Sequence, residues 1–284
     1  MKMANLDGRL VLVVGGGTID VEAASAGQFG PDPQSVFERW DDFREWAENV
    51  SAPPEPFDST RLGPPVPSPR QVFAIALNYS DHAAESGFAL PERPSVFTKF
   101  SSSLTGPSGD IALIEAGDVD WEVELVAVIG RTARCVDESD GWDHVAGLTV
   151  GQDISERKSQ LAGAVPQFSM GKSFPRFSPT GPWLTSVDEL ADPDNLEIGC
   201  SVNGESVQKG RTSDLIFSVP TLVAQLSEVV TLWPGDLIFT GTPAGVGLGR
   251  TPQRFLSAGD ELVSTIEGLG SMTHLLTEPV RAGR

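Results

Sequence analysis

The 284-residue sequence predicts a mainly β protein with short helices, an α+β arrangement of one large domain behind a small N-terminal one. Three observations predict this class. β-type runs recur from Gln71 onward, helical periodicity is confined to short pieces, and a proline-rich stretch interrupts the chain between Ser51 and Arg70.

The elements follow in chain order. RLVLVVGGGTIDVEAAS, from Arg9, reads as two β-prone runs around a glycine turn. No helix opens directly behind those glycines, so a turn is favoured over a phosphate-binding loop. SVFERWDDFREWAENV then spaces Phe37, Trp40, Phe43 and Trp46 as a helix with an aromatic stripe for core packing. SAPPEPFDSTRLGPPVPSPR cannot form helix or interior strand and reads as a linker, dividing a domain 1–65 from a domain 66–284. Beyond it come QVFAIALNY, WEVELVAVIG, HVAGLTVGQDI, LEIGCSVNGESVQ with an Asn-Gly hairpin turn, GDLIFTG and DELVSTIEGLG; the best helical pattern runs from Pro220 to Val229.

Composition narrows the function. A formal charge of −19 argues against nucleic acid or an anionic membrane surface as partner and points to a small molecule or a cation. Cys135 and Cys200 stand far apart without metal-type spacing, as expected of reduced thiols in a cytoplasmic protein. RLVLVV is too short for a signal segment, and no run approaches the length of a membrane span.

The unusual segment is VDWEVELVAVIG, where two glutamates sit inside an apolar run. Strand alternation puts Glu122 and Glu124 on one face with Val126 and Val128, while Val123, Leu125, Ala127 and Ile129 line the other. A buried, unpaired carboxylate is costly. Either the two acids lie at a wet rim, or a divalent cation compensates them. Asp153, at the end of the strand-like run HVAGLTV, supplies a third carboxylate and favours a Mg²⁺-type site with positions left for water or substrate. Arg157 and Gln160 share a side with Asp153 if SERKSQ is helical; Lys172 sits among glycines and prolines, and Thr242 in the glycine-rich turn TGTPAGVG. In ALNYSDHAAESG, Tyr79 is the only tyrosine of the chain, and His82 and Glu85, three apart, can pair as a general-base dyad on a mobile lid; an incidental surface pair is the alternative.

This ordered set resembles the fumarylacetoacetate hydrolase family, also called the acylpyruvate hydrolase superfamily, over nearly everything from Gln71 to Gly270. The resemblance implies a mixed β-sandwich roll with a small N-terminal domain, in a homodimer. It implies Glu122, Glu124 and Asp153 as ligands of Mg²⁺ or Mn²⁺, with Ca²⁺ as a crystal substitute. Arg157, Gln160, Lys172, Thr242 and Tyr79 would bind substrate or hold an oxyanion, and His82 with Glu85 would form the lid dyad. Leu77 stands where the eukaryotic hydrolases carry a further aspartate, so three carboxylates are expected.

The chemistry then expected is hydrolysis of the C3–C4 bond of a 2,4-diketo acid through an enolate stabilised by the cation, a reaction type at home in aromatic catabolism. Oxaloacetate decarboxylation, or another lyase or isomerase reaction of a 2-oxo acid, is the enzymatic alternative, since all share the enolate. A non-catalytic binder of 2-oxo acids is the alternative from another class.

Overall fold

The computed structural model describes residues 1–81 and 91–279, and strands dominate them. One eleven-stranded sheet runs Gly17–Asp20, Arg9–Val14, Lys2–Leu6, Ser178–Thr185, Val145–Gln152, Val123–Ile129, Leu237–Phe239, Val72–Ala76, Ser95–Thr98, with Leu62–Gly63 and Leu104–Thr105 paired to its flanks. A second sheet of five strands runs Glu205–Arg211, Glu197–Val202, Glu261–Ile266, Gly270–Thr277, Ser108–Ala112. Most pairs are antiparallel, but Leu237–Phe239 lies parallel to Val72–Ala76 and Gly270–Thr277 parallel to Ser108–Ala112. The architecture is therefore a mixed β structure with few, short helices, the α+β class that the β-type runs predict.

Val123–Ile129 is buried along its whole length because both of its faces are covered. Val123, Leu125, Ala127 and Ile129 pack with Ile198, Val202, Leu262 and Ile266 of the second sheet. Val126 and Val128, on the face that also carries Glu124, pack instead with Phe37, Trp40 and Phe43 of the N-terminal region. The alternation of the strand thus sorts one sequence into two cores.

The aromatic stripe becomes a 3-10 turn, Ser35–Arg39, leading into the helix Trp40–Glu48. Phe37 stacks on Trp40 at 5.5 Å and Phe29 meets Phe43 edge-on at 5.3 Å between ring centroids. Around it the chain is not free. Thr18 and Glu55 exchange backbone hydrogen bonds of 2.8 Å, Leu62–Gly63 pairs with Lys2–Leu6, and Asn5 Nδ2 donates to the Pro64 carbonyl at 3.0 Å. The proline-rich stretch, expected as a linker, is laid along the N-terminal strands. Lys2 pairs opposite Thr185, so residues 1–65 and the rest of the chain contribute strands to one sheet.

The local signals have clear physical counterparts. Asn203 and Gly204 both take positive φ, 53° and 79°, as the two-residue turn between Val202 and Glu205 requires. In the helix Val219–Val229, Ser218 caps by accepting from the Thr221 amide, and Pro220 sits in the first turn where no amide is missed. Among the described residues, no helix is long and apolar enough to cross a membrane.

Phe43 is fully buried between the N-terminal helix and the main sheet. Phe43→Ala is expected to cost about 3–5 kcal/mol, read as a lower midpoint of a single urea transition. An early, separate transition that leaves the rest of the protein unchanged would show that this cluster does not support the sheet.

Candidate active site

The acids converge where the strand Val123–Ile129 begins. Its pairing with Val145–Gln152 sets Val123 opposite Gln152, and just beyond the ladder the Asp153 amide donates to the Glu122 carbonyl at 2.9 Å. Two glutamine side chains take over where strand partners end. Gln152 Oε1 accepts from the Glu122 amide at 2.9 Å and Gln208 Oε1 from the Val123 amide at 3.0 Å. Held so, the carboxylates of Glu122, Glu124 and Asp153 are all buried and bring oxygens within 4.8 Å of one another.

Gly241 explains why a glycine follows Thr240. With φ of 101° it turns its amide onto Glu124 Oε2 at 2.8 Å, and a Cβ there would meet the Asn78 side chain at 2.7 Å.

Cations neutralise most of this charge. Lys172 Nζ bridges Glu122 Oε2 and Asp153 Oδ2, both at 2.7 Å. Lys99 Nζ donates to Asp153 Oδ1 and to the Lys172 carbonyl. Arg157 Nη1 reaches Glu122 Oε1 and Gln160 Oε1 at 2.8 Å, while its Nε and Nη2 clamp Asp120 Oδ2 at 2.8 and 2.7 Å. The short helix Arg157–Gln160 that carries it is capped by Glu156, which accepts from the Lys158 and Ser159 amides.

Three cations, Lys99, Arg157 and Lys172, thus face four carboxylates, Asp120, Glu122, Glu124 and Asp153. Glu124 is the acid without an ion pair among the described residues. Burial first, then the neighbouring Asp153 and Glu122 charges, push its carboxyl well above the usual range. Burial opposes the charge of Lys172, but Asp153 and Glu122 outweigh it and hold the ammonium above its ordinary value. For Lys99 burial wins and the shift is downward. A hard, oxygen-preferring divalent cation fits the arrangement, because three carboxylates meet and one of them lacks a positive partner.

Glu122 and Glu124 of the cluster line a cavity of about 590 Å³, with Arg157, Gln160, Lys172 and Thr242 also on its surface. Ile75, Leu77, Phe97, Leu161 and Phe168 supply apolar lining, with the Phe97 ring 5.2 Å from Lys172 Nζ. Thr242 is less free than its position in a glycine-rich turn suggests. Its hydroxyl donates to the Val123 carbonyl at 2.9 Å and accepts from Gln208 Nε2 at 2.7 Å. Arg157, expected to bind substrate, spends its guanidinium on Asp120, Glu122 and Gln160 and so orients the acids and the amide. Tyr79 is buried, pairs through its backbone with Leu215, and does not line the cavity; its hydroxyl has no partner among the described residues, and burial raises its pKa. His82 and Glu85 lie outside the described residues.

Three buried polar residues escaped the reading of the sequence: Lys99, Asp120 and Gln208. Asp120 is the most connected of them. Besides Arg157 it accepts from the amides of Trp121, Gly247 and Leu248, and a Cβ on Gly247 would stand 2.7 Å from its Oδ1. Its signal was the acid immediately before WEVEL; a lone lysine in VFTKF was the signal for Lys99.

The chain is similar to known proteins over most of its length. The family model for the fumarylacetoacetate (FAA) hydrolase C-terminal region matches residues 71–277. The Homo sapiens protein named oxaloacetate tautomerase FAHD2A, mitochondrial, is 45% identical over 207 residues, covering 72% of this chain and 66% of its own length. The chain therefore spans just under two thirds of that relative. A Mycobacterium smegmatis crystal structure provisionally described as HpcE is 56% identical, with a TM-score of 0.95 and coverage of 98% of this chain and 99% of that one. Maleylpyruvate hydrolase from Sphingobium sp. SYK-6, solved in complex with manganese(II) ion and pyruvate, is 30% identical with a TM-score of 0.81, covering 99% of this chain and all of that one (100%).

Asp120→Ala strips a buried guanidinium of its principal partner and is expected to destabilise the protein by roughly 3–5 kcal/mol, with Asp120→Asn costing less. Urea unfolding of the two variants checks this. Equal losses, or none, would contradict a charge clamp.

Proposed function

The chain belongs to the fumarylacetoacetate hydrolase family, and from that premise we propose that it is an enzyme of 2-oxo acids that works by proton transfer at C3. The observation that carries this reading is the buried meeting of Glu122, Glu124 and Asp153, two of which, Glu122 and Glu124, line a cavity. These three would hold Mg²⁺ or Mn²⁺, which when bound supplies Lewis-acid polarisation of the carboxylate and keto oxygens of the substrate.

The remaining work falls to the chain itself. Lys172 and Lys99 hold the Asp153 carboxylate in place, and Arg157 does the same for Glu122. Gln160 gives its oxygen to Arg157, so its Nε2 protons, unpartnered among the described residues, are the donors left to hold a substrate oxyanion. His82, with Glu85 as the partner that the sequence spacing suggests, would take the proton. In keto–enol tautomerisation that proton leaves C3 and is returned to the 2-oxo oxygen.

Tautomerisation of an oxaloacetate-type acid is the first outcome, supported by the names of relatives at 43–45% identity. Hydrolysis of a 2,4-diketo acid is the second, and the cavity leaves room for it: about 590 Å³, with Ile75, Phe97, Leu161 and Phe168 in its lining, exceeds the needs of a four-carbon acid. There His82 would deprotonate water for attack at C4, the C3–C4 bond would break, and C3 would regain a proton, giving a 2-oxo acid and a carboxylic acid.

The same reading includes a reducing compartment such as the cytoplasm, where the exposed Cys135 thiol stays free. It also includes a homodimer. Val165, 85% exposed, and Met170, 67% exposed, are large apolar side chains that a second copy could cover.

The protein with Mg²⁺ or Mn²⁺ is expected to consume the enol of oxaloacetate or the diketone absorbance of acetylpyruvate. Glu124→Gln should abolish the metal-dependent activity, whereas His82→Ala should keep Mn²⁺ binding and lose turnover by about 10²–10⁴-fold. Turnover of neither acid by the unaltered protein sinks the reading. Sedimentation of the protein is expected to give twice the chain mass, with Val165→Glu shifting it toward the monomer; a monomer at micromolar concentration refutes the dimer.

A further inference from the structure

An arginine carries five N–H donors in a rigid plane, so the group that grips it from one side decides where its other donors point. For the buried Arg157 that group is Asp120. Backbone pairing brings the two together from distant parts of the chain. Val119–Asp120 pairs with Ser155–Glu156, with Asp120 opposite Ser155, and the Arg157 amide donates to the Asp118 carbonyl at 3.0 Å.

The carboxylate then fixes the guanidinium. Asp120 Oδ2 accepts from Nε at 2.8 Å and from Nη2 at 2.7 Å, which leaves Nη1 to donate to Gln160 Oε1 and Glu122 Oε1, both at 2.8 Å. Because Nη1 can only donate, the Gln160 atom it meets is the amide oxygen, and the NH₂ end of Gln160 is turned the other way. Gln160 lines the cavity. A chain of hydrogen bonds thus runs from Asp120 through Arg157 to the amide of a cavity residue.

Asp120 is itself held more firmly than an ion pair requires. Its Oδ1 accepts from the Trp121 and Gly247 amides at 2.8 and 2.7 Å, and its Oδ2 also accepts from the Leu248 amide at 2.9 Å. Every one of these partners is a donor. Asparagine, nearly the same shape, would set its own NH₂ against N–H groups whichever way its amide is turned. Neutralising Arg157 needs only a nearby negative charge; fixing the plane of its fork needs a carboxylate that cannot swivel.

From this we infer that Asp120 is a positioning residue for the ligand in the cavity: acting through Arg157, it turns the Gln160 amide so that N–H groups, rather than the carbonyl, are offered to an anionic oxygen. The inference rests on the reading that a 2-oxo acid head docks beside Glu122 and Glu124.

A double-mutant cycle tests it on the protein saturated with Mn²⁺. The quantity read is the affinity, by calorimetry, of oxamate, a mimic of the 2-oxo acid head without a C3. Gln160→Ala and Asp120→Asn are each expected to weaken oxamate by about tenfold. In protein that already carries Gln160→Ala, Asp120→Asn should add less than about threefold, because the amide it positions is gone. Phe43→Ala, which weakens the fold at the aromatic cluster, should bind oxamate as the unaltered protein does. Should Asp120→Asn fail to fold, Arg157→Lys, which keeps the charge but not the fork, takes its place in the cycle with the same expectation. Losses that multiply independently overturn the inference, as does an Asp120→Asn protein that binds oxamate unchanged, or a Phe43→Ala loss equal to that of Asp120→Asn. The coupled pattern without turnover of any acid upholds it while refuting the proposed chemistry. No binding of oxamate by the unaltered protein overturns both.

Discussion

Everything at the candidate site depends on how an excess of negative charge is kept inside the protein. Four carboxylates and three cations are packed where the strand Val123–Ile129 begins, and nearly every hydrogen bond nearby serves to hold one of them. Buried ions survive only when paired and hydrogen-bonded on most sides. That condition explains why Arg157 is saturated, why Lys99 and Lys172 share Asp153, and why Gly241 must turn its amide inward. Glu124, the acid whose only hydrogen bond among the described residues comes from an amide, marks where a further positive charge belongs.

The fold meets this demand by covering both faces of one strand. The second sheet shields the odd-numbered residues of Val123–Ile129, and the aromatic N-terminal cluster shields Val126 and Val128 beside Glu124. Water is thereby kept from the strand while its acidic start opens onto a cavity. A low-dielectric wall behind charged groups strengthens their action on whatever enters.

Much of this could be read from the residues alone. The β class followed from the strand-like runs, and the convergence of Glu122, Glu124 and Asp153 followed from alternation plus two neighbouring strand ends. The helix Arg157–Gln160 did bring Arg157 and Gln160 to the acids. What stayed hidden depends on pairings distant in the chain. Nothing local in MKMANL says that it lies beside Ser178–Thr185, or that the prolines after Ser51 are tied down by Thr18 and Asn5. Asp120 and Lys99 look like ordinary surface charges until the fold buries them, and the inward commitment of Arg157 and Thr242 is a matter of hydrogen-bond counting that spacing cannot reveal. Tyr79, singled out for its rarity, serves the interior.

Gln208 belongs to the second sheet, yet its amide grips the Val123 backbone, the Thr242 hydroxyl and the Pro243 carbonyl of the first layer's rim. The two layers are pinned together beside the carboxylate cluster. Sliding one sheet past the other by a single residue would release all three contacts at once, so the candidate site has no independent melting of its own: it lasts as long as the sandwich keeps its alignment, and a graft of the acidic strand into another scaffold would have to bring this glutamine with it.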